Sequence, residues 1–99
     1  MDKVLQLLSL AKRANKIASG EYMTEESVKG GMAYLVILAE DASDNTKKKF
    51  TNMCTYRDIP MVIYSNKEEL GHHIGTEFRA SLAVLDKGFA DKIISLCEQ

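Results

Sequence analysis

The adjacent imidazoles of His72 and His73, the thiol of Cys54, the carboxylates of Glu40 and Asp41 and two lysine-rich groups are the side chains with chemistry to offer. Neighbouring residues on a helix leave its axis about 100° apart, so the two histidines do not converge on one metal ion. His73 falls on the face of Leu70 and Ile74 and reads as a half-buried packing residue, His72 as a solvated one. Cys54 could act as a nucleophile only beside a base, and its place on an apolar helix face reads as a packed thiol instead. Glu40 and Asp41 end an apolar run, where α/β proteins often place sites, but they are equally natural cap residues. No phosphate-loop, dinucleotide-loop or nucleophile-elbow motif occurs. The expectation is a chain with no catalytic residue, no metal site, no cofactor and no small-molecule substrate.

The remaining chemistry is that of phosphate. Lys12, Arg13 and Lys16 close one helical pattern just before a Ser19-Gly20 turn, and Lys47, Lys48 and Lys49 open another, where the helix dipole disfavours them. A helix that starts openly at Gly20 would present free N–H groups, which bind phosphate well. The stretch ASGEYMTEESVKGG, residues 18–31, has that start. It carries Glu21, Glu25 and Glu26 against one lysine, Lys29, and offers Tyr22 and Met23 at its tip. With a net charge of −1 there is no global basic footprint, so any nucleic-acid site must be local.

The elements that must position these residues follow from periodicity. Val4, Leu7, Leu8, Ala11 and Ala14 recur at helical spacing, which predicts an amphipathic helix over 2–15 rather than a signal peptide. A short extended piece over 16–18 leads into the small helix after Gly20, in which Met23 shares a core face with Ser27. AYLVILA, 33–39, is a strand buried on both faces. Ser43 or Asp44 caps a helix whose inner face is Phe50, Met53, Cys54 and the stem of Arg57, and which Pro60 ends. MVIYS, 61–65, is a second buried strand, and Ser65 with Glu68 forms a capping box for a helix from Asn66 to about Ile74. ASLAVLD, 80–86, is a further strand, followed by a closing helix with Phe89, Ile93, Leu96 and Cys97 inward. Strands alternating with helices over 99 residues predict a single α/β domain, 1–99, with helices on both faces of a central sheet. A composition of 45% hydrophobic and 27% charged residues, two separated cysteines read as reduced thiols and no long apolar run place it in the cytoplasm, away from membranes.

LAKRANKIASGE, AYLVILAEDASDNTKKK, YRDIPMVIYSNKEELGHHIG and FRASLAVLDKGFADKI together resemble the YlxQ-type bacterial members of the ribosomal kink-turn RNA-binding family (L-seven-Ae-like, with Gadd-forty-five-like relatives). The resemblance runs along essentially the whole chain. It implies a three-layer α-β-α sandwich with a four-stranded mixed sheet and a non-enzymatic protein that grips structured, often ribosomal, RNA. In that family the tip of the second helix reads sheared base pairs with a glycine, a polar pair and a lysine, and the loop before the last strand covers flipped-out nucleotides. Carried over, the glycine is Gly20 followed by Glu21, the polar pair falls on Tyr22 and Met23, the lysine falls on Glu26, and the loop is Thr76, Glu77, Phe78 and Arg79. With Lys16, Ser19 and Lys29 beside the tip, these are the expected RNA-binding residues. The backbone device is kept while the guanine-reading side chains are replaced, and a glutamate in place of the lysine adds repulsion toward phosphate. The acid surplus of residues 20–31 suits an alternative, a protein-interaction module that has kept the fold and lost specific kink-turn binding.

Overall fold

The computed structural model describes residues 2–98. Its elements in chain order are α1 (Lys3–Arg13), β1 (Ile17–Ser19), α2 (Glu21–Lys29), β2 (Leu35–Leu38), α3 (Asp44–Arg57), β3 (Met61–Ile63), α4 (Lys67–His73), β4 (Ser81–Val84) and α5 (Lys87–Cys97). The four strands form one sheet in the order β1-β4-β2-β3. β4 is antiparallel to both neighbours, while β2 and β3 run parallel, so the sheet is mixed.

Alternation along the strands divides the core in two. Ile17, Leu35, Ile37, Leu82 and Val84 pack with Val4, Leu5, Leu8, Leu70 and Ile93 of α1, α4 and α5. Ala18, Val36, Leu38 and Ala83 pack with Val28, Phe50 and Cys54 of α2 and α3. All four residues of β2 and of β4 are fully buried, as expected for central strands covered on both faces. The result is the three-layer α-β-α sandwich read from the sequence.

Several local expectations are corrected. β3 lies at the sheet edge, and Ile63 is 48% exposed, so it is not a strand buried on both faces. Ser65 does not cap α4, because it turns through a left-handed conformation at φ 62°. Asn66 is the cap, its side-chain oxygen accepting from the Glu69 N–H at 2.8 Å. The stem of Arg57 is not part of the core face: the side chain is exposed and donates to the Lys29 carbonyl at 3.2 Å, tying the end of α3 to the end of α2. Met23, expected in the core, is 51% exposed, and it is Thr24, Ser27 and Val28 that face the sheet.

Candidate nucleic-acid interface

The registers place the ends of the strands. Ser19 pairs with Leu82, Leu38 with Ser81, and Leu38 with Ile63, so β1, β2 and β3 end where β4 begins. The three helices that follow those strands, α2, α3 and α4, therefore all start at one end of the molecule, with their partially positive N-termini together. Ser43 closes the start of α3 and Asn66 that of α4 with side-chain bonds. The start of α2 has no side-chain cap. Gly20 makes that possible: at φ 91°, ψ 160° it occupies a region that side-chain-bearing residues essentially do not enter, and from there the chain turns straight into the helix.

The loop before β4 is bound to this open start. Gly20 donates its N–H to the Ser81 carbonyl at 3.0 Å. Arg79 donates from Nε to Ser19 Oγ at 3.1 Å and from Nη1 to the Phe78 carbonyl at 2.8 Å. Two of five guanidinium donors are thereby spent on holding the loop to the turn, and the cation stands beside the free N–H groups of α2. Around it Tyr22 is 71% exposed and Phe78 59% exposed, large apolar surfaces that no core explains. The structure thus brings together Ser19, Gly20, Glu21, Tyr22, Met23, Phe78 and Arg79, with Thr76 and Glu77 in the same loop.

Lys16 and Lys29 stand apart from this group. Lys16 precedes β1, about 13 Å of extended chain from Gly20, and Lys29 closes α2 at its other end. Lys12 and Arg13 end α1 on the far side of β1. Besides Arg79, the cation at the α2 start comes from α3. Lys49 reaches Glu21 at 3.2 Å and Glu25 at 2.5 Å, and Thr46 Oγ1 donates to Glu21 at 3.3 Å. Lys29 and Lys49 together hold the Glu25 carboxyl down to about 2, the Lys29 hydrogen bond contributing most. The acid surplus of α2 is therefore offset from the neighbouring helix, which removes the main attraction for a basic partner. Among the described residues no cation pairs with Glu26. Thr46 and Lys49 were absent from the expected site; the sequence signal was the three lysines opening a helix against its dipole.

The other chemical candidates resolve as structural. Asp41 accepts from the Lys67 N–H at 2.8 Å, fastening β2 to α4. Cys54 is buried on the inner face of α3, which pushes its thiol up, and the sheet separates it from α4 and its histidines. His73 is half-buried with Nδ1 2.9 Å from the Glu69 carbonyl oxygen, and His72 is exposed.

A four-stranded mixed sheet between two helical layers, with an uncapped second helix beside the loop that enters the last strand, defines a recognisable class of α/β sandwich. Residues 2–94 match the ribosomal protein L7Ae/L30e/S12e/Gadd45 family, and the chain belongs to it. It is 46% identical over 92 residues to the RNA-binding protein YlxQ of Bacillus subtilis (strain 168), spanning 93% of this chain and 92% of that protein. It is 35% identical over 96 residues to the RNA-binding protein YlxQ of Enterococcus faecium, 97% and 92% of the two chains. The solved structure of a protein with unknown function from Bacillus halodurans C superposes over the whole of both chains, with a TM-score of 0.97 at 37% identity. The Giardia lamblia 15.5kD RNA binding protein, at 21% identity, shares the fold with a TM-score of 0.82 over 99% of this chain and 90% of its own.

Proposed function

We propose that this chain is a non-enzymatic, cytoplasmic RNA-binding protein that grips structured RNA, of kink-turn or ribosomal type, with the start of α2 and the loop before β4. The observation that carries the reading is the bond pair Gly20 N–H to Ser81 and Arg79 to Ser19, which makes one surface of two segments sixty residues apart. That surface offers what a distorted RNA needs: unspent N–H groups at a helix start and a guanidinium for the backbone, and exposed rings for unstacked bases. Tyr22 and Phe78 as stacking platforms would each contribute about 1–3 kcal/mol. Membership of the family and two relatives named as RNA-binding proteins support it. No helix among the described residues is long and apolar enough to cross a membrane.

Polarisation of a labelled kink-turn RNA, beside an unkinked duplex of equal length at low salt, tests this. Tighter binding of the kinked RNA is expected, and equal binding, or none at micromolar protein, refutes kink-turn recognition. The triple substitution Tyr22→Asn, Met23→Glu, Glu26→Lys restores the family's pattern at the tip. It is expected to tighten binding on the order of a hundredfold, and no change would mean that this tip does not meet the RNA.

A further inference from the structure

Of the basic group at the end of α1, which the interface above does not use, Arg13 belongs to a second surface. Lys3, Gln6, Leu7, Leu10 and Arg13 recur at helical spacing along the outer face of α1. Lys3, Gln6, Leu7 and Leu10 line an open groove against Lys92 and Leu96 of α5, and Gln6 and Leu10 also border a second depression with Ser9 and Arg13. Leu10 is 49% exposed, an apolar side chain on the helix surface away from the core.

The charge of this face is one-sided. Among the described residues no carboxylate lines either depression. Of the acids on and beside α1 and α5, Asp2 accepts from the Leu5 N–H and the Tyr64 hydroxyl, Asp86 caps α5, and Asp91 pairs with Lys87 at 2.8 Å, while Glu98 follows the end of α5 and lines neither depression. Among the described residues, Lys3, Arg13 and Lys92 make no ion pair.

We propose that the α1–α5 groove docks an acidic amphipathic helix of a protein partner, its apolar residues seated over Leu7, Leu10 and Leu96 and its carboxylates meeting Lys3, Arg13 and Lys92. The complementarity is specific in kind. A leucine stripe with a cation at each end on α1 and a third beside it on α5 matches a helix with an apolar ridge and carboxylates at its ends and along one shoulder. A nucleic-acid backbone would reach the cations but leave the leucines without partners. The stripe from Lys3 to Arg13 is about 15 Å long, which fits a docked helix of about three turns. α1 and α5 pack on the opposite side of the sheet from α2 and α3, so the partner and RNA could be held together.

The test uses the full chain, isotope-labelled for amide spectra, and three peptides of about 14 residues. One has leucines at i, i+3 and i+7 with glutamates on the shoulders, one is its scrambled form, and one carries lysine for each glutamate. Saturable shifts confined to α1 and α5 are expected with the first peptide alone, weakening as salt rises. Leu10→Ser, at an exposed position, and the pair Lys3→Glu, Lys92→Glu are each expected to lower affinity at least about tenfold, while binding of kink-turn RNA is unchanged. Equal binding of the scrambled or lysine peptide, no shifts at millimolar peptide, displacement by duplex RNA, or sedimentation as a dimer that Leu10→Ser dissolves would each overturn the proposal.

Discussion

Thr24 is fully buried on α2, one turn after Gly20, and its hydroxyl has no hydrogen-bond partner among the described residues. A buried hydroxyl without a partner carries a desolvation cost of about 1–3 kcal/mol, and valine fills the same volume without it. Thr24→Val is therefore expected to raise stability by about 1 kcal/mol, read as a higher denaturation midpoint with an unchanged slope. A lower midpoint would show that the hydroxyl does have a partner in solution. Residue identity made this position legible only in part. Thr24, Ser27 and Val28 form the buried face of α2, but Met23 reads from the sequence as a core residue because it shares a helical face with Ser27. Its exposure follows from where α2 sits: the helix packs by its small residues close against β4, and Met23 is left beside the tip. The same logic makes Phe78 informative, since a ring that far out of the core has no packing reason to be there.

At the scale of elements, α4 and the loop after it are fitted together through Gly71. A Cβ at that position would lie 2.1 Å from the Glu77 carbonyl oxygen, a backbone atom that cannot step aside without moving the loop. Gly71→Ala is expected to cost at least about 2 kcal/mol and to displace Phe78 and Arg79, so that RNA affinity falls more than α2 is disturbed. Amide spectra showing an unmoved loop would contradict this. The pairing of α2 with α3 has its own signature in acid. Glu25 is held at about 2 against an ordinary 4.5, by Lys29 first and then Lys49. A depressed carboxylate favours the folded state above its unfolded value, so that contribution is intact above about pH 4.5 and is lost as pH falls toward 2. Glu25→Gln should flatten the stability profile in that window and nowhere above it, as urea unfolding at a series of pH values would show. Helices and central strands were legible because periodicity and apolar runs are local properties. The edge position of β3 was not, since MVIYS reads the same whether or not a neighbour covers it. The Ser65–Glu68 spacing misled because a capping box also needs extended backbone at the cap, and Ser65 turns left-handed there. Lys49 reaching Glu25 across two helices was invisible, because only the fold sets that distance.

The whole molecule carries a net charge of −1, so RNA binding cannot rest on its overall field and must come from a few placed cations. Each phosphate contact releases counterions, and the dependence of log affinity on log salt counts such contacts. At the end where α2, α3 and α4 begin, Arg79 stands at the open turn with donors unspent. Lys49 is committed to Glu21 and Glu25, and Lys47 to the Glu40 carbonyl at 2.7 Å. A shallow slope of about −1 to −2 is expected, corresponding to one or two phosphates. Arg79→Gln removes the charge while leaving an amide able to donate to Ser19, so the loop stays bound to the turn. It is expected to reduce the slope by about one, with affinity lowered alike for kinked RNAs of different sequence. Lys16→Ala, across the length of β1 from Gly20, should leave the slope where it was. If instead Lys16→Ala changes the slope and Arg79→Gln does not, the RNA lies along the α1 end of the sheet, and the surface built from Ser19, Gly20 and Arg79 is not where the backbone is held.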